Sequence, residues 1–344
     1  DVSMSKSREE KAAGLIEQML KQINQEDQLL NPDSRITLVG QEEFDLLGIY
    51  SNSWQGIASS DFPRFGRNVW EINPTIGSGW VFLQSTVQKT LFYGGRSNVL
   101  YWEDGYGEIT QVCQKNATFR GMSAWNRIGI VCSQMSSLNI TIYSGEKFDN
   151  NSSVLTIEGS GISLESLWSY CSTSEYCEAV RRIDQKMNVT NATLVKVPFD
   201  LERWTKVAEE KYPNGLPLPF SDDPTQWIFH GHPCKSVVWD EDIKWTGYGP
   251  IRFDSTVLHV AVARLLGYRW PAELDPKMEL AKEQRALVSE CEALLPFADN
   301  DGIVCIPSVG GEFSASDRLL KMLKASYGDA WTDDTLSTLL RNTD

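Results

Sequence analysis

Arginines and aromatic residues are interleaved between Trp54 and Arg127. This stretch holds seven Lys and Arg residues against five Asp and Glu residues, a net charge of +2 within a chain whose formal net charge is -14. Arginine side chains bind guanine edges and phosphate through paired hydrogen bonds, and aromatic rings stack on bases. One hypothesis is therefore a nucleic-acid-binding surface. The other, which composition alone favours, is a Trp-rich antiparallel core with ordinary surface charges.

The candidate DNA contacts within that stretch are of three kinds. Arginine suits guanine O6 and N7, lysine suits phosphate, and asparagine suits adenine. The candidates are Arg64, Arg67, Arg96, Arg120 and Arg127, then Lys89 and Lys115, and finally Asn98 and Asn126. Because the chain is acidic overall, nonspecific binding of nucleic acid is disfavoured, and any contact requires a local basic face.

Two further clusters carry residue types found in metal sites. His230, His232 and Cys234 place three potential zinc ligands within five residues, but no C-x-x-C pair or second His pair offers a fourth, so a structured turn is the preferred interpretation. A looser set of carboxylates with a lysine matches the pattern of a metal-dependent nuclease, and a solvated turn explains it more simply. Its members are Asp222, Asp223, Asp242 and Lys244.

Several compact catalytic and cofactor motifs are absent from the sequence. The chain has no G-x-S-x-G, no P-loop, no G-x-G-x-x-G with a following acidic residue and no [DNS]-P-P-[FYW], the tetrapeptide with which amino-methyltransferases hold a flipped base. His259 falls on the apolar side of a predicted helix, which is typical of a core histidine. The sequence therefore predicts no catalytic residue, no metal site and no complete active site.

Changes in hydrophobic periodicity divide the chain. A capping box at Ser7 and Glu10 opens a helical pattern, short apolar runs from about 35 to 158 predict a largely antiparallel sheet, and helical spacing returns from Ser163. Five prolines between 213 and 233 interrupt any period. We predict an α+β protein with an N-terminal helix (1–34), a β-rich domain closed by helices (35–200), an extended Pro-rich linker (201–253) and a helical C-terminal domain (254–344).

Individual elements follow from the same patterns. The predicted strands are RITLV, FDLLGIY, WVFLQ, TLFYGG, NVLYWE, RIGIVCS, NITIYS and SVLTI, and turn plus strand is predicted for VTNATLVKVPFD. In the C-terminal domain we predict a helix from Asp254 to Gly267, a second that opens at Asp275-Pro276 and a third from Ser314 to Gly328.

Composition indicates an ordinary globular protein. The chain is 41% hydrophobic and 23% charged, and no window approaches 18 uninterrupted apolar residues. Seven cysteines without paired short spacings indicate reduced thiols in a cytoplasm. The chain begins without Met or a signal peptide, and its last helical pattern has barely begun, so we expect a fragment of a longer polypeptide. Asparagines of N-x-[ST] triplets are then expected in turns and strand ends: Asn116, Asn139, Asn150, Asn151, Asn188 and Asn191.

Three segments carry a resemblance to a known family. They are GIASSDFPRFGRNVWEI (Gly56–Ile72), the stretch from Leu155 to Asp200, and HVAVARLLGYRWPAE with the later DNDGIVCIPSVGGEFSASDRLL. Together they resemble the target-recognition and C-terminal part of the large, single-chain, adenine-specific DNA methyltransferases. Those are the type IIG restriction-modification enzymes and their phage-defence relatives in the BREX and DISARM systems.

The resemblance implies a specific division of labour. In that family an upstream domain binds S-adenosylmethionine, flips an adenine out of the duplex and methylates its N6, while the recognition domain selects the site. Residues 35–200 would then be a target-recognition domain whose partners are double-stranded DNA and the upstream methyltransferase domain, with other defence-system subunits as candidate partners of the helical end. S-adenosylmethionine would bind the parent enzyme, and this chain alone would methylate nothing.

An alternative hypothesis is a β-rich ligand-binding or scaffold module that touches no nucleic acid. Such a module would grip sugars with Trp54, Trp80 and Trp102, and it explains the acidic total more directly. It does not explain the three family-like segments. An exposed Trp platform would favour this module, whereas a positive groove would favour DNA.

Overall fold

The computed structural model describes residues 7–9, 12–13, 22, 24–29, 44–72, 79–116, 118–135, 137–159, 161–218, 231–240 and 245–343. Within them the chain combines antiparallel-rich sheets with helices, which confirms the α+β prediction. A one-turn helix spans Gln25–Gln28. Most of the predicted N-terminal helix, and the predicted strand RITLV, lie outside the described residues.

Most of the described strands lie before residue 158, and most of the described helices lie after it. The strands are Ser51–Gln55 (β1), Gly66–Asn68 (β2), Trp80–Gln84 (β3), Asn98–Tyr101 (β4), Gly129–Ser133 (β5), Ile140–Tyr143 (β6), Lys147–Phe148 (β7), Ser152–Ile157 (β8), Val237–Asp240 (β9) and Trp245–Tyr248 (β10). The α-helices that follow β1 are Phe62–Phe65 (α1), Glu108–Lys115 (α2), Leu164–Cys171 (α3), Ser174–Ile183 (α4), Leu201–Lys211 (α5), Thr256–Leu265 (α6), Pro271–Leu274 (α7), Lys282–Glu292 (α8), Ala315–Tyr327 (α9) and Asp333–Arg341 (α10).

The first sheet has the order β1-β8-β5-β6 and is antiparallel throughout. β5, β6 and β8 are buried along almost their whole length because both faces of the sheet are covered there, whereas β1 is mostly polar. Ile130 and Leu155 belong to the core beneath α3, α4 and α5, whereas Val131 and Val154 pack on the other face with Phe148 of β7. The helices above this sheet begin at side-chain caps, for example Ser163, whose Oγ accepts a hydrogen bond from Ser166 N.

The second sheet has the order β2-β4-β3-β7, with one parallel pairing between β3 and β7. One face carries Leu83 and Leu100, which pack with Ile109 of α2. The opposite face carries Val99, which packs with Val260 of α6 in the C-terminal helical part. The second sheet therefore joins the β-rich part to the helical part through a shared core.

The extended linker predicted over 201–253 is wrong for two of its segments. Leu201–Lys211 is the helix α5, whose buried Trp204 and Ala208 lie four residues apart on one face. β9 and β10 pair as an antiparallel hairpin, and Val237 packs with Trp270 and Leu287. The prolines mark an interruption, but the elements on either side fold onto existing cores.

Several element predictions also differ from the structure. FDLLGIY forms an isolated bridge at Leu46 and a 3-10 turn, TLFYGG is irregular, and VTNATLVKVPFD contains a 3-10 helix in place of a strand. Asp275 follows the short α7 and does not begin a helix. The next helix, α8, begins at Lys282. The helix from Ser314 to Gly328 is confirmed, with Ser314 accepting from Asp317 N as its N-cap.

Candidate nucleic-acid interface

Arg96 is buried, so its prediction as a DNA contact is wrong. Its side chain is 0% exposed, its Nε lies 3.1 Å from Glu146 Oε1, and its Nη2 donates to Ser144 Oγ at 2.8 Å and to the Ile142 carbonyl at 3.2 Å. Burial lowers the pKa of Arg96, and the Glu146 carboxylate opposes that shift. Arg96 holds the turn between β6 and β7 against the segment that precedes β4.

Three other candidates lie at the two ends of β6: Lys89 at its start, and the neighbouring Asn126 and Arg127 at its end. Lys89 is exposed in a turn beside β6, where the Gln88 carbonyl accepts from Asn139 Nδ2 at 2.7 Å. Asn126 is exposed at a φ of 59°, and its N–H donates to the Gly145 carbonyl. Arg127 Nη2 donates to the Ile157 carbonyl at 2.5 Å and lies 2.7 Å from Glu158 Oε1, which holds it at one end of β8. Lys89 is therefore separated from Asn126 and Arg127 by the length of β6.

Arg64, Lys115 and Arg120 do come from elements that contact one another. We call α1, α2 and the loop 118–121, with the segment 55–59 between them, the α1–α2 face. All three cations are exposed. Arg64 Nη2 lies 2.5 Å from Glu108 Oε1, which ties α1 to the first turn of α2, and Lys115 lies in the last turn of α2. A rise of about 1.5 Å per residue separates the two ends of α2 by about 10 Å.

Backbone contacts connect the loop 118–121 to the rest of this face. Thr118 N donates to the Cys113 carbonyl of α2, and Ala58 N donates to the Thr118 carbonyl. Arg120 Nη1 donates to Gln55 Oε1 at 2.7 Å at the end of β1. β1 pairs Gln55 with Ser153 and Ser51 with Ile157, so Arg120 and Arg127 lie at opposite ends of that ladder, about 13 Å apart along the strand.

Arg67 and Asn98 lie on opposite faces of the second sheet. Arg67 pairs with Val99 and Asn68 pairs with Asn98, and neighbouring residues in a strand alternate between faces. Arg67 Nη1 donates to the carbonyls of Pro63 and Gly66, so the guanidinium is engaged at the end of α1. Asn98 Nδ2 donates to Asn68 Oδ1 at 3.1 Å. Asn98 therefore lies on the Leu100 side of the sheet, toward α2, whereas Arg67 contacts the α1–α2 face through the Pro63 carbonyl of α1.

The tryptophans of the alternative hypothesis do not form an exposed platform. Trp102 is buried and stacks on Phe119 at 5.7 Å between ring centroids. Trp54 is partly buried, and its Nε1 donates to Thr156 Oγ1 at 2.8 Å, while Trp80 packs against Tyr101 at 5.0 Å. These rings stabilise the two sheets, so the sugar-binding interpretation loses the surface on which it depended.

His232 and Cys234 form a buried pair beneath α9. Cys234 Sγ lies 3.6 Å from His232 Nδ1 and donates to the Ser326 carbonyl at 2.9 Å. Burial raises the pKa of Cys234 to about 12, so the thiol stays protonated at neutral pH. No group of three metal-ligating side chains occurs among the residues that the structure describes, and His230, Asp222, Asp223, Asp242 and Lys244 lie outside them.

Protonation of His232 is expected to destabilise the folded chain in acid. Burial lowers the pKa of His232 from 6.5 to about 3, so the unfolded chain binds this proton first and stability falls as pH drops from about 6.5 toward 3. The stability advantage of the wild-type chain over His232→Gln should therefore shrink across that range. Urea unfolding midpoints at pH 7, 5.5 and 4 (roughly this window) measure it. If the difference in unfolding midpoint between the wild-type chain and His232→Gln did not change with pH, the lowered pKa of His232 would be contradicted.

His259 is exposed, so its placement in the core is wrong. Its ring centroid lies 6.4 Å from that of Trp70, and it lines a cleft of about 620 Å³ between α6 and the second sheet. The remaining lining is mostly apolar, with Val262 and Leu266 partly exposed. Because α6 is buried over most of its circumference, periodicity could not show which narrow face is open.

The α1–α2 face includes residues that the sequence patterns did not single out. Gln55 positions Arg120, Glu108 engages Arg64, and Phe62 lies exposed at the start of α1. Lys147 is sheltered beneath the face, with its Nζ 4.2 Å from the Trp125 ring centroid, and burial lowers its pKa. A local signal existed only for Phe62, in the Asp-Phe-Pro-Arg sequence that opens α1.

Comparison with models of known protein families and with curated proteins gave no match to this chain. Among the described helices, none combines the length and the apolar character needed to cross a membrane.

Proposed function

We propose that this chain supplies the DNA target-recognition part of an S-adenosylmethionine-dependent adenine-N6 DNA methyltransferase in a restriction-modification or phage-defence system. Duplex DNA would lie against the α1–α2 face. The cofactor and the chemistry would belong to the upstream methyltransferase domain, because this sequence has neither a cofactor motif nor the base-holding tetrapeptide. The three family-like segments suggest the parent enzyme, and the structure supplies the candidate surface.

One observation carries the proposal of DNA binding: three exposed cations, from α1, α2 and the loop 118–121, lie on elements that contact one another. Arg64 forms an ion pair in which both side chains are about half exposed and lies 5.1 Å from the Phe65 ring centroid, and Arg120 Nη1 donates to the amide oxygen of Gln55. Exposed pairs of this kind contribute little to stability. The Arg64 guanidinium can therefore turn to phosphate or guanine at little cost, unlike the buried Arg96.

Direct binding measurements test the proposal. The chain is titrated by fluorescence anisotropy against a pool of random duplexes at about 50 and 200 mM salt, and the retained DNA is sequenced. Salt-sensitive binding with an enriched sequence supports recognition. Absence of binding at the lower salt concentration contradicts it.

Removing the carboxylate that engages Arg64 is expected to strengthen DNA binding. Glu108→Gln frees the guanidinium and removes a negative charge from the face, so affinity for duplex DNA should rise about three- to tenfold at low salt. Glu178→Gln is the matched control, because Glu178 pairs with Arg182 on the exposed surface of α4, away from this face. Equal gains in both variants would show that only total charge matters.

A further inference from the structure

A small cavity lies beside the α1–α2 face, on the Asn98 side of the second sheet. Its volume is about 260 Å³. Ile57, Leu83 and Leu100 contribute to its lining and are each at least 97% buried, so they form an apolar floor. Ligand sites for drug-sized molecules are larger, about 300 to 1,000 Å³, so this cavity suits a single planar ring system.

An aromatic ring forms one wall of the cavity. Phe62 is 41% exposed and lies directly on Gly66, where a Cβ would come within 2.2 Å of the ring. Glycine at this position therefore lets the ring lie close to the strand β2. A partly exposed ring beside a cavity offers a surface on which a base can stack.

Amide side chains form the rim of the cavity. Asn98 donates one N–H to Asn68 and keeps its oxygen and a second N–H, while Asn150 and Asn151 are exposed in the turn between β7 and β8. Each amide offers a donor and an acceptor side by side, the arrangement that pairs with the edge of a nucleobase. These two asparagines belong to N-x-[ST] triplets and lie in a turn, as expected.

Asp149 also lines the cavity. Its Oδ1 accepts from Asn151 N and Ser152 N at 3.0 Å each, and its Oδ2 accepts from Ser85 Oγ at 2.5 Å. The carboxylate thus fixes the turn and places a negative charge at the cavity, which disfavours phosphate there. The cations of the α1–α2 face lie outside the cavity, where a backbone would run.

We propose that this cavity receives one unstacked base of DNA bound at the α1–α2 face, with Phe62 as the stacking surface and Asn98 and Asn150 as edge contacts. The inference rests on the proposed function. Taking a base out of the stack costs least when the base is already unpaired. A duplex with a single unpaired base should therefore bind more tightly than a fully paired one.

Three DNA duplexes of equal length test the inference with the whole chain. One is fully paired, one carries a single-nucleotide adenine bulge, and one carries an abasic residue at the bulge, which keeps the flexibility and removes the base. Anisotropy should show the adenine bulge bound at least about tenfold more tightly than the abasic bulge. Phe62→Ala and, independently, Asn150→Ala should each reduce that ratio to about threefold or less.

Phe313→Ala is the protein control, because Phe313 is an exposed ring in the C-terminal part. It should keep the full preference for the adenine bulge. Equal affinity for adenine and abasic bulges, with paired DNA still bound, overturns the cavity assignment and leaves the proposed function standing. Failure to bind any of the three duplexes overturns the cavity assignment and the proposed function together. If Phe62→Ala and Asn150→Ala both keep the preference for the adenine bulge, the unstacked base binds elsewhere and the cavity assignment is overturned.

Discussion

Replacing Arg64, Lys115 and Arg120 together with alanine is expected to lower affinity for duplex DNA on the order of a hundredfold at about 50 mM salt. The logarithmic dependence of affinity on salt should become shallower by about 2 to 3, because each phosphate contact contributes about 0.9 to that slope. Anisotropy titrations at four or more salt concentrations measure both quantities. If one of the arginines contacts a base and not a phosphate, its removal should change the salt slope less and should lower the preference for the target sequence.

A second triple variant separates a local face from total charge. Arg182, Lys206 and Lys211 are exposed on α4 and α5, above the first sheet, and their replacement with alanine removes the same three charges. The α1–α2 face predicts a small loss for this control. If both triple variants lost affinity equally, binding would follow net charge, and the assignment of the face would fail.

Patterns that depend on neighbouring residues could be predicted from the sequence. The apolar runs of β5, β6 and β8 and the cap-to-glycine span of α9 follow from local periodicity and capping. The α+β class follows from the order of such segments. The linker was predicted too long because proline density marks an interruption but does not show where the chain folds again.

The candidate face could not be predicted as a set, because non-local contacts assemble it. Arg120 contacts Gln55, which is 65 residues away in the sequence, and Arg64 contacts Glu108, which is 44 residues away. Within one stretch of sequence the arginines therefore have different roles that no local pattern distinguishes. The structural role of Arg96 depends on its ion pair with Glu146, which is 50 residues away in the sequence.

Substitutions at Arg96 and Arg64 should therefore have separate effects, the first on stability and the second on DNA binding. Arg96→Ala is expected to lower the free energy of unfolding by about 3 kcal/mol, because it leaves Glu146 without its charge partner in a partly buried site. That value is at the lower end of the range for broken buried pairs, since Glu146 keeps 16% of its surface in water. Arg64→Ala should change stability by less than about 1 kcal/mol, because both partners in its ion pair are exposed.

Two measurements on the same two variants make the contrast decisive. Urea unfolding followed by tryptophan fluorescence should shift to a lower midpoint for Arg96→Ala alone, whereas anisotropy at a temperature where both variants are folded should show weaker DNA binding for Arg64→Ala alone. Because Arg96 has no exposed surface, a folded Arg96→Ala chain that lost DNA affinity would show that the buried pair also supports the DNA-binding face, and the expected separation would fail. An unchanged unfolding midpoint would instead show that the buried pair contributes no net stability, as some buried ion pairs do when desolvation offsets their attraction.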